Sequence, residues 1–114
     1  MTEIRVNRYR TRDTEQYSIV FSGHAAKIND GEGNILCSAV SMLSQTFLQC
    51  ARDLDNGKTI THDEDMEDGY LRVKMVYPAN RRKYILGQIS FLETGLRLLQ
   101  DAYPEQIHMV GDFN

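Results

Sequence analysis

Residues 17–54, YSIVFSGHAAKINDGEGNILCSAVSMLSQTFLQCARDL, begin as one kind of structure and end as another. The opening YSIVFSG (17–23) is short, rich in β-branched and aromatic residues and closed by a glycine, which reads as a strand. Further on, Val40, Leu43, Phe47, Cys50 and Leu54 recur at steps of three and four, the spacing of one helical face. Between them NDGEGN marks a loop over residues 25–34, with Asn34 the expected N-cap. DNG (55–57) is a turn signal that ends the helix.

Working outward, EIRVNRYR (3–10) alternates through Ile4 and Val6 and predicts a half-buried strand with arginines on its other face. DTEQ (13–16) turns it into a hairpin with 17–23. Downstream, KTITH (58–62) reads as a short strand and DEDMEDG (63–69) as an acidic turn. YLRVKMVY (70–77) alternates Leu71, Val73, Met75 and Tyr77, a strand stopped by Pro78. Residues 80–103 carry Ile85, Ile89, Leu92, Leu96 and Leu99, a second amphipathic helix ended by Pro104. QIHMV (106–110) supplies a last strand. The order is β-β-α-β-β-α-β. Neighbouring strands joined by short turns imply a two-layer α+β domain, a mainly antiparallel or mixed sheet with two helices packed on it.

The chain has 114 residues, which suits a single domain over 1–114. Hydrophobic residues make up 41% and charged residues 25%, and the net charge of -3 makes no case for nucleic acid. No run approaches the roughly 18 apolar residues of a membrane span. The segment MTEIRVNRYR lacks the apolar stretch of a secretion signal, so a cytoplasmic location is the expectation. Cys37 and Cys50 fall thirteen residues apart on one helix. At about 1.5 Å per residue they are roughly 20 Å apart, too far for a disulfide.

Cys37 and His24 carry the chemistry. The expected helix start places Cys37 in the first turn, where unpaired N–H groups and the helix dipole favour a thiolate. Gly23 delivers His24 to the end of a strand, and the loop can bring it to Cys37 as a base. On the helical wheel Cys37 lies beside the apolar stripe, whereas Cys50 lies within it and reads as inert core. Ser41 falls one turn beyond Cys37 on the same flank, and the N–H groups of Cys37 and Ser38 could hold an oxyanion. Gly31 and Gly33 suit a hinge in a loop that clamps substrate. Composition alone leaves the plain alternatives open: Cys37 as a small packing residue, His24 as a turn residue.

Other patterns carry less. DEDMEDGYLRVK departs from the calcium-loop template, with Asp68 and Lys74 where Gly and Glu belong. His62 beside Asp63 and Glu64 lacks zinc-site spacing, and no cofactor or metal is implied. Arg5, Arg8, Arg10 and Arg12 would form a basic stripe in a competing RNA-binding reading. Leu86, Phe91 and Leu98 lie off the main stripe of the second helix, marking either an interface or a helix buried on two sides.

The paired segments SGHA (22–25) and GNILCSAVSML (33–43), with the later DGYL and AYPEQI, resemble the ribosomal-processing cysteine protease family. That family carries a G-H-A segment and a G-x-D-I-V-C-A-A-V-S segment, and the resemblance spans most of the chain. It implies an endopeptidase with Cys37 as nucleophile and His24 as base, acting on a protein or peptide substrate. It implies removal of an N-terminal extension from a large-subunit ribosomal protein by cleavage after an aromatic residue. It also implies a homodimer. Asn34 stands where the family has Asp, so the orienting group for His24 carries no charge. A peptide-binding module that no longer cuts, including a phage-borne one with a non-ribosomal substrate, is the alternative.

Overall fold

The computed structural model describes residues 1–23 and 31–114, for residues 31–34 the backbone alone. Its strands are β1 (Thr2–Arg10), β2 (Thr14–Ser22), β3 (Thr61–Glu67), β4 (Tyr70–Pro78) and β5 (Ile107–Gly111), and its helices α1 (Gly31–Leu54) and α2 (Arg82–Ala102). One sheet runs in the order β3-β4-β2-β1-β5. Only the β1–β5 pair is parallel; the other three are antiparallel. This is the mixed-sheet α+β architecture that the sequence implies.

Alternation places every second side chain on the helix-covered face. Register then aligns them in rows across strands: Ile4, Phe21 and Leu71 form one, Val6, Ile19 and Val73 the next. Leu36, Val40, Phe47, Leu48 and Ala51 of α1 and Ile85, Ile89, Leu92 and Leu96 of α2 close over these rows. Each such aliphatic side chain contributes about 1.5–3 kcal/mol on burial. The helices approach closely at Gly95, where a Cβ would stand 3.2 Å from two carbons of the Leu43 side chain.

Among the described residues two carboxylates are buried in this layer, and both are paired, as burial of charge requires. Glu93 accepts hydrogen bonds from the Arg8 guanidinium at 2.7 Å, the Tyr17 hydroxyl at 2.8 Å and the Asn114 N–H at 3.0 Å. Glu15 is shared by Arg10 and Arg82. Burial, then the neighbouring Glu93 charge, pushes the Tyr17 hydroxyl far above the ordinary phenol range, so it stays a donor.

Four sequence expectations are corrected. Residues 63–67 belong to strand β3 and not to an acidic turn. Only Asp68 and Gly69 of the 63–69 stretch form the turn, and the strand read over 58–62 begins at Thr61: Asn56 Oδ1 accepts from the N–H groups of Lys58, Thr59 and Ile60, giving the backbone before it a local alternative to pairing. An edge strand tolerates this acidity because it has one open side. The arginine stripe does not exist as such. Arg8 and Arg10 share the parity of Ile4 and Val6 and reach Glu93 and Glu15, whereas Arg5 lies on the other face beside Glu3. Cys50 is half-buried, not a sealed core residue. Lastly, α1 begins at Gly31, so Gly31 and Gly33 lie in its first turn and not in a loop, and Asn34 is not the N-cap.

Candidate active site

Thr2 at the start of β1, Gly23 at the exit of β2, the flank of α1 and the β3–β4 turn enclose a cleft of about 300 Å³. From α1 come Cys37, Val40, Ser41, Ser44 and Gln45; from the opposite wall come Met66, Glu67, Asp68, Gly69, Tyr70 and Leu71. The spacing i, i+4, i+7, i+8 from Cys37 keeps these helical residues on one flank. Cys37, Ser41, Ser44 and Gln45 are small or polar and only Val40 of the five belongs to the core, so the helix offers this flank to a ligand without opening the core. Cys37 is half-buried and packs against the edge of that core.

Gly23 fixes where the chain leaves β2 toward position 24. Its φ of +90° is left-handed, and a Cβ there would fall 2.4 Å from the Met1 carbonyl oxygen. Its N–H donates to the Gly69 carbonyl at 2.9 Å, tying this exit to the β3–β4 turn. No residue with a side chain fits that crossing without moving backbone.

The far wall is clamped to α1 by charge. Arg52 grips Glu64 through two nitrogens at 2.9 and 2.6 Å. His62 bridges Asp55 at 2.6 Å and Glu64 at 3.1 Å through its two ring nitrogens. The Arg52 guanidinium, and then His62, hold Glu64 down at about 2. Partial burial works against a charged His62, but the hydrogen bonds and charges of Asp55 and Glu64 win and raise it. Asp55 is lowered in turn, first by the His62 ring and then by the N–H groups of Gly57 and His62.

Among the sequence-predicted site residues, Cys37 and Ser41 line the cleft together. Ser38 is exposed and lies off it. His24 and the Asn34 side chain fall outside the described residues. A helix starting at Gly31 puts Cys37 in the second turn, where the N–H groups of Cys37 and Ser38 are spent on intrahelical hydrogen bonds. The assignment of those two as oxyanion donors is therefore withdrawn. The dipole field fades within the first turn, so the expectation that the helix start favours a thiolate at Cys37 is withdrawn as well. Sequence reasoning missed Thr2, Ser44, Gln45 and Gly69. For Ser44 and Gln45 the signal was present, as the continuation of the Cys37–Ser41 flank. Thr2 and Gly69 arrive by long-range pairing, which leaves no local trace.

The family model described as cysteine protease Prp matches residues 1–108. The fold is similar to that of the essential ribosomal processing protease Prp from S. aureus. Its complex with a covalently linked product peptide has a TM-score of 0.74 at 15% identity, covering 98% of this chain and 100% of that one. Its complex with a substrate peptide has a TM-score of 0.71 at 12% identity, with the same coverage. SMU.848 from Streptococcus mutans is similar at a TM-score of 0.65 and 21% identity, covering 98% and 96% of the two chains. No curated protein matches the chain. A cysteine-lined cleft on this fold and a family match over nearly the whole sequence lead to one conclusion: the chain belongs to the Prp family of cysteine proteases.

Proposed function

We propose that the cleft is an endopeptidase site in which Cys37 is the nucleophile and His24 its base. The observation that carries this reading is the half-buried Cys37 opening onto a peptide-sized cleft beside the strand exit that leads to His24. His24 takes the thiol proton, and the Cys37 thiolate attacks the scissile carbonyl. Collapse of the tetrahedral adduct breaks the C–N bond, and the imidazolium gives its proton to the leaving amine. Water, deprotonated by His24, then hydrolyses the thioester and restores the thiol. Asn34 would orient the imidazole without adding charge, as Asn does in other cysteine peptidases. Ser41 lies one turn from Cys37 and meets the substrate backbone in the same cleft.

The substrate we propose is the one the family resemblance suggests: an N-terminally extended large-subunit ribosomal protein, cut in the cytoplasm after an aromatic residue. The S. aureus neighbours, ribosomal processing proteases seen with peptides, support it. A homodimer is part of the same proposal. Phe91 and Leu98 on α2 are 79% and 65% exposed, and Met42 on α1 is 69% exposed, apolar surface that a second copy would cover. The Asp-to-Asn change at position 34 favours a second reading, a module on this fold that binds peptide without cutting it.

Iodoacetamide separates the two without a known substrate. Cys50 is also half-buried and serves as an internal control. At neutral pH, Cys37 is expected to alkylate at least about tenfold faster than Cys50, as a thiolate paired with a histidine should. His24→Ala should remove the difference. Equal rates in the parent protein would favour the binding module.

A further inference from the structure

The far wall of the cleft belongs to an element that the core does not hold. β3 lies at the edge of the sheet, paired with β4 alone. None of its seven residues is buried, whereas Ile60 just before it is. Apolar burial therefore contributes little to holding this strand against α1. Charge closes that side instead. Arg52 in the last turn of α1 takes Glu64, and Asp55 just beyond the helix takes His62. His62 and Glu64 are successive residues on the helix-facing side of β3.

The same seam opens into the cleft. The next helix-facing residue of β3 is Met66, which lines it. On α1, Gln45 also lines it and precedes Arg52 by seven residues, about two turns along one flank. One gap between helix and strand is thus closed by ion pairs at one end and open beside Cys37 at the other.

The His62 ring decides how firmly the gap is closed. Its Nδ1 stands 2.6 Å from Asp55 Oδ2 and its Nε2 3.1 Å from Glu64 Oε1, an acceptor at each nitrogen. Only the imidazolium donates from both. A neutral ring keeps one N–H and turns a lone pair toward a carboxylate, with Arg52 the one cation still paired with Glu64 among the described residues. No other neighbour makes up the loss. From β4 the ring faces Met75 and, further along the same side, the Tyr77 phenol. Lys74 and Arg72 lie on the opposite side of the sheet, across from Asp63 and Asp65, and Arg72 binds Asp63. On α1, Asp53 is taken by Gln49.

We propose that Arg52, Asp55, His62 and Glu64 are positioning residues that set the width of the cleft, narrow while His62 holds its proton and wider once the proton is lost. Peptides with a large side chain beside Cys37 are then favoured on the alkaline side. That choice of substrate rests on reading the cleft as the peptidase site; the change of width does not.

The test alkylates the full-length protein with iodoacetamide and with the bulky N-(1-pyrenyl)iodoacetamide. Rates at Cys37 are read by mass spectrometry and divided by those of glutathione. Both reagents meet the same thiolate, so the ratio of bulky to small cancels the titration of Cys37 and reports room in the cleft. Arg52→Met and Glu64→Gln should each raise the ratio about fivefold at neutral pH, the weight of one well-formed ion pair. The double variant should go no further, because both changes remove one contact. In the parent the ratio should climb as pH rises through the elevated His62 value, and His62→Gln should make it independent of pH. Tyr17→Phe, a core change away from the seam, should leave the ratio at the parent value. A ratio unmoved by Arg52→Met and Glu64→Gln, constant with pH in the parent, or raised equally by Tyr17→Phe would overturn the proposal. Cys37 reacting no faster than Cys50 while the ratio still follows the ion pairs would refute the peptidase and keep the proposal; a fast Cys37 with an invariant ratio would do the reverse.

Discussion

Alanine at Gly23 and at Gly57 isolates the cost of a backbone crossing. Both glycines are left-handed, with φ of +90° and +72°. A side chain in that region costs roughly 1–2 kcal/mol from its own backbone. At Gly57 an added Cβ meets nothing within 4 Å, so Gly57→Ala should lose about 1 kcal/mol and little else. At Gly23 the added Cβ falls 2.4 Å from the Met1 carbonyl oxygen, about 1 Å inside van der Waals contact. Relief must separate the Gly23 and Met1 backbones, and it endangers the 2.9 Å hydrogen bond from Gly23 to Gly69. That bond is worth about 1 kcal/mol net, and the displaced backbone adds a comparable cost. Gly23→Ala should therefore lose about 3 kcal/mol in all. Urea unfolding of the two variants beside the parent measures the difference directly. Because Gly23 precedes His24, fast alkylation of Cys37 should also fall in Gly23→Ala and persist in Gly57→Ala. Equal stability losses, or a Gly23→Ala protein that keeps its reactivity, would refute the reasoning.

The clamp between α1 and β3 gives stability a defined pH profile. His62 is raised on folding, so its contribution is complete below the unfolded value of 6.5 and is lost as pH rises through the folded one. Glu64 falls from 4.5 to about 2, so its contribution is complete above 4.5 and is lost as pH falls toward 2. Urea midpoints should show the gap between parent and Glu64→Gln closing near pH 2, and that between parent and His62→Gln narrowing above neutrality; gaps constant with pH would contradict the assignment. Tyr17→Phe keeps the edge contact with Phe47 at 5.8 Å but removes a donor from buried Glu93, which should cost about 2 kcal/mol in the same assay. Phe91→Glu/Leu98→Glu should convert a dimer to monomer in light scattering without lowering the melting temperature, because both side chains are exposed within the protomer. Association unchanged by that pair would move the interface elsewhere.

The central strands and the inner faces of both helices were legible because their apolar residues repeat at the period of the element they form. Ile85, Ile89, Leu92 and Leu96 are all buried, as that spacing requires. β3 was misread because its pattern is polar on both faces. His62 and Glu64 face the helix layer and are satisfied there by Asp55 and Arg52, a pairing no local window contains. Arg8 and Arg10 read as surface for the same reason, since Glu93 and Glu15 are brought to them by tertiary packing. Cys37 and Ser41 announced themselves by helical spacing. The opposite wall of the cleft did not, because Thr2 and Gly69 reach it only through strand pairing and a turn.

The parallel pairing of β1 with β5 has a consequence for timing. The first strand of the chain takes the last one as its neighbour, and the Thr2 N–H is held by the Gln106 carbonyl at 2.9 Å. During vectorial synthesis, one margin of the sheet therefore waits for residues 107–111 to emerge. The β1–β5 contact has a long loop to close, and the entropy of that closure falls on a strand that lines the cleft through Thr2. A nascent chain still lacking β5 holds Cys37 on its helix but leaves Thr2 of the same cleft without its β5 neighbours. Assembly of the cleft is in this way coupled to the emergence of β5.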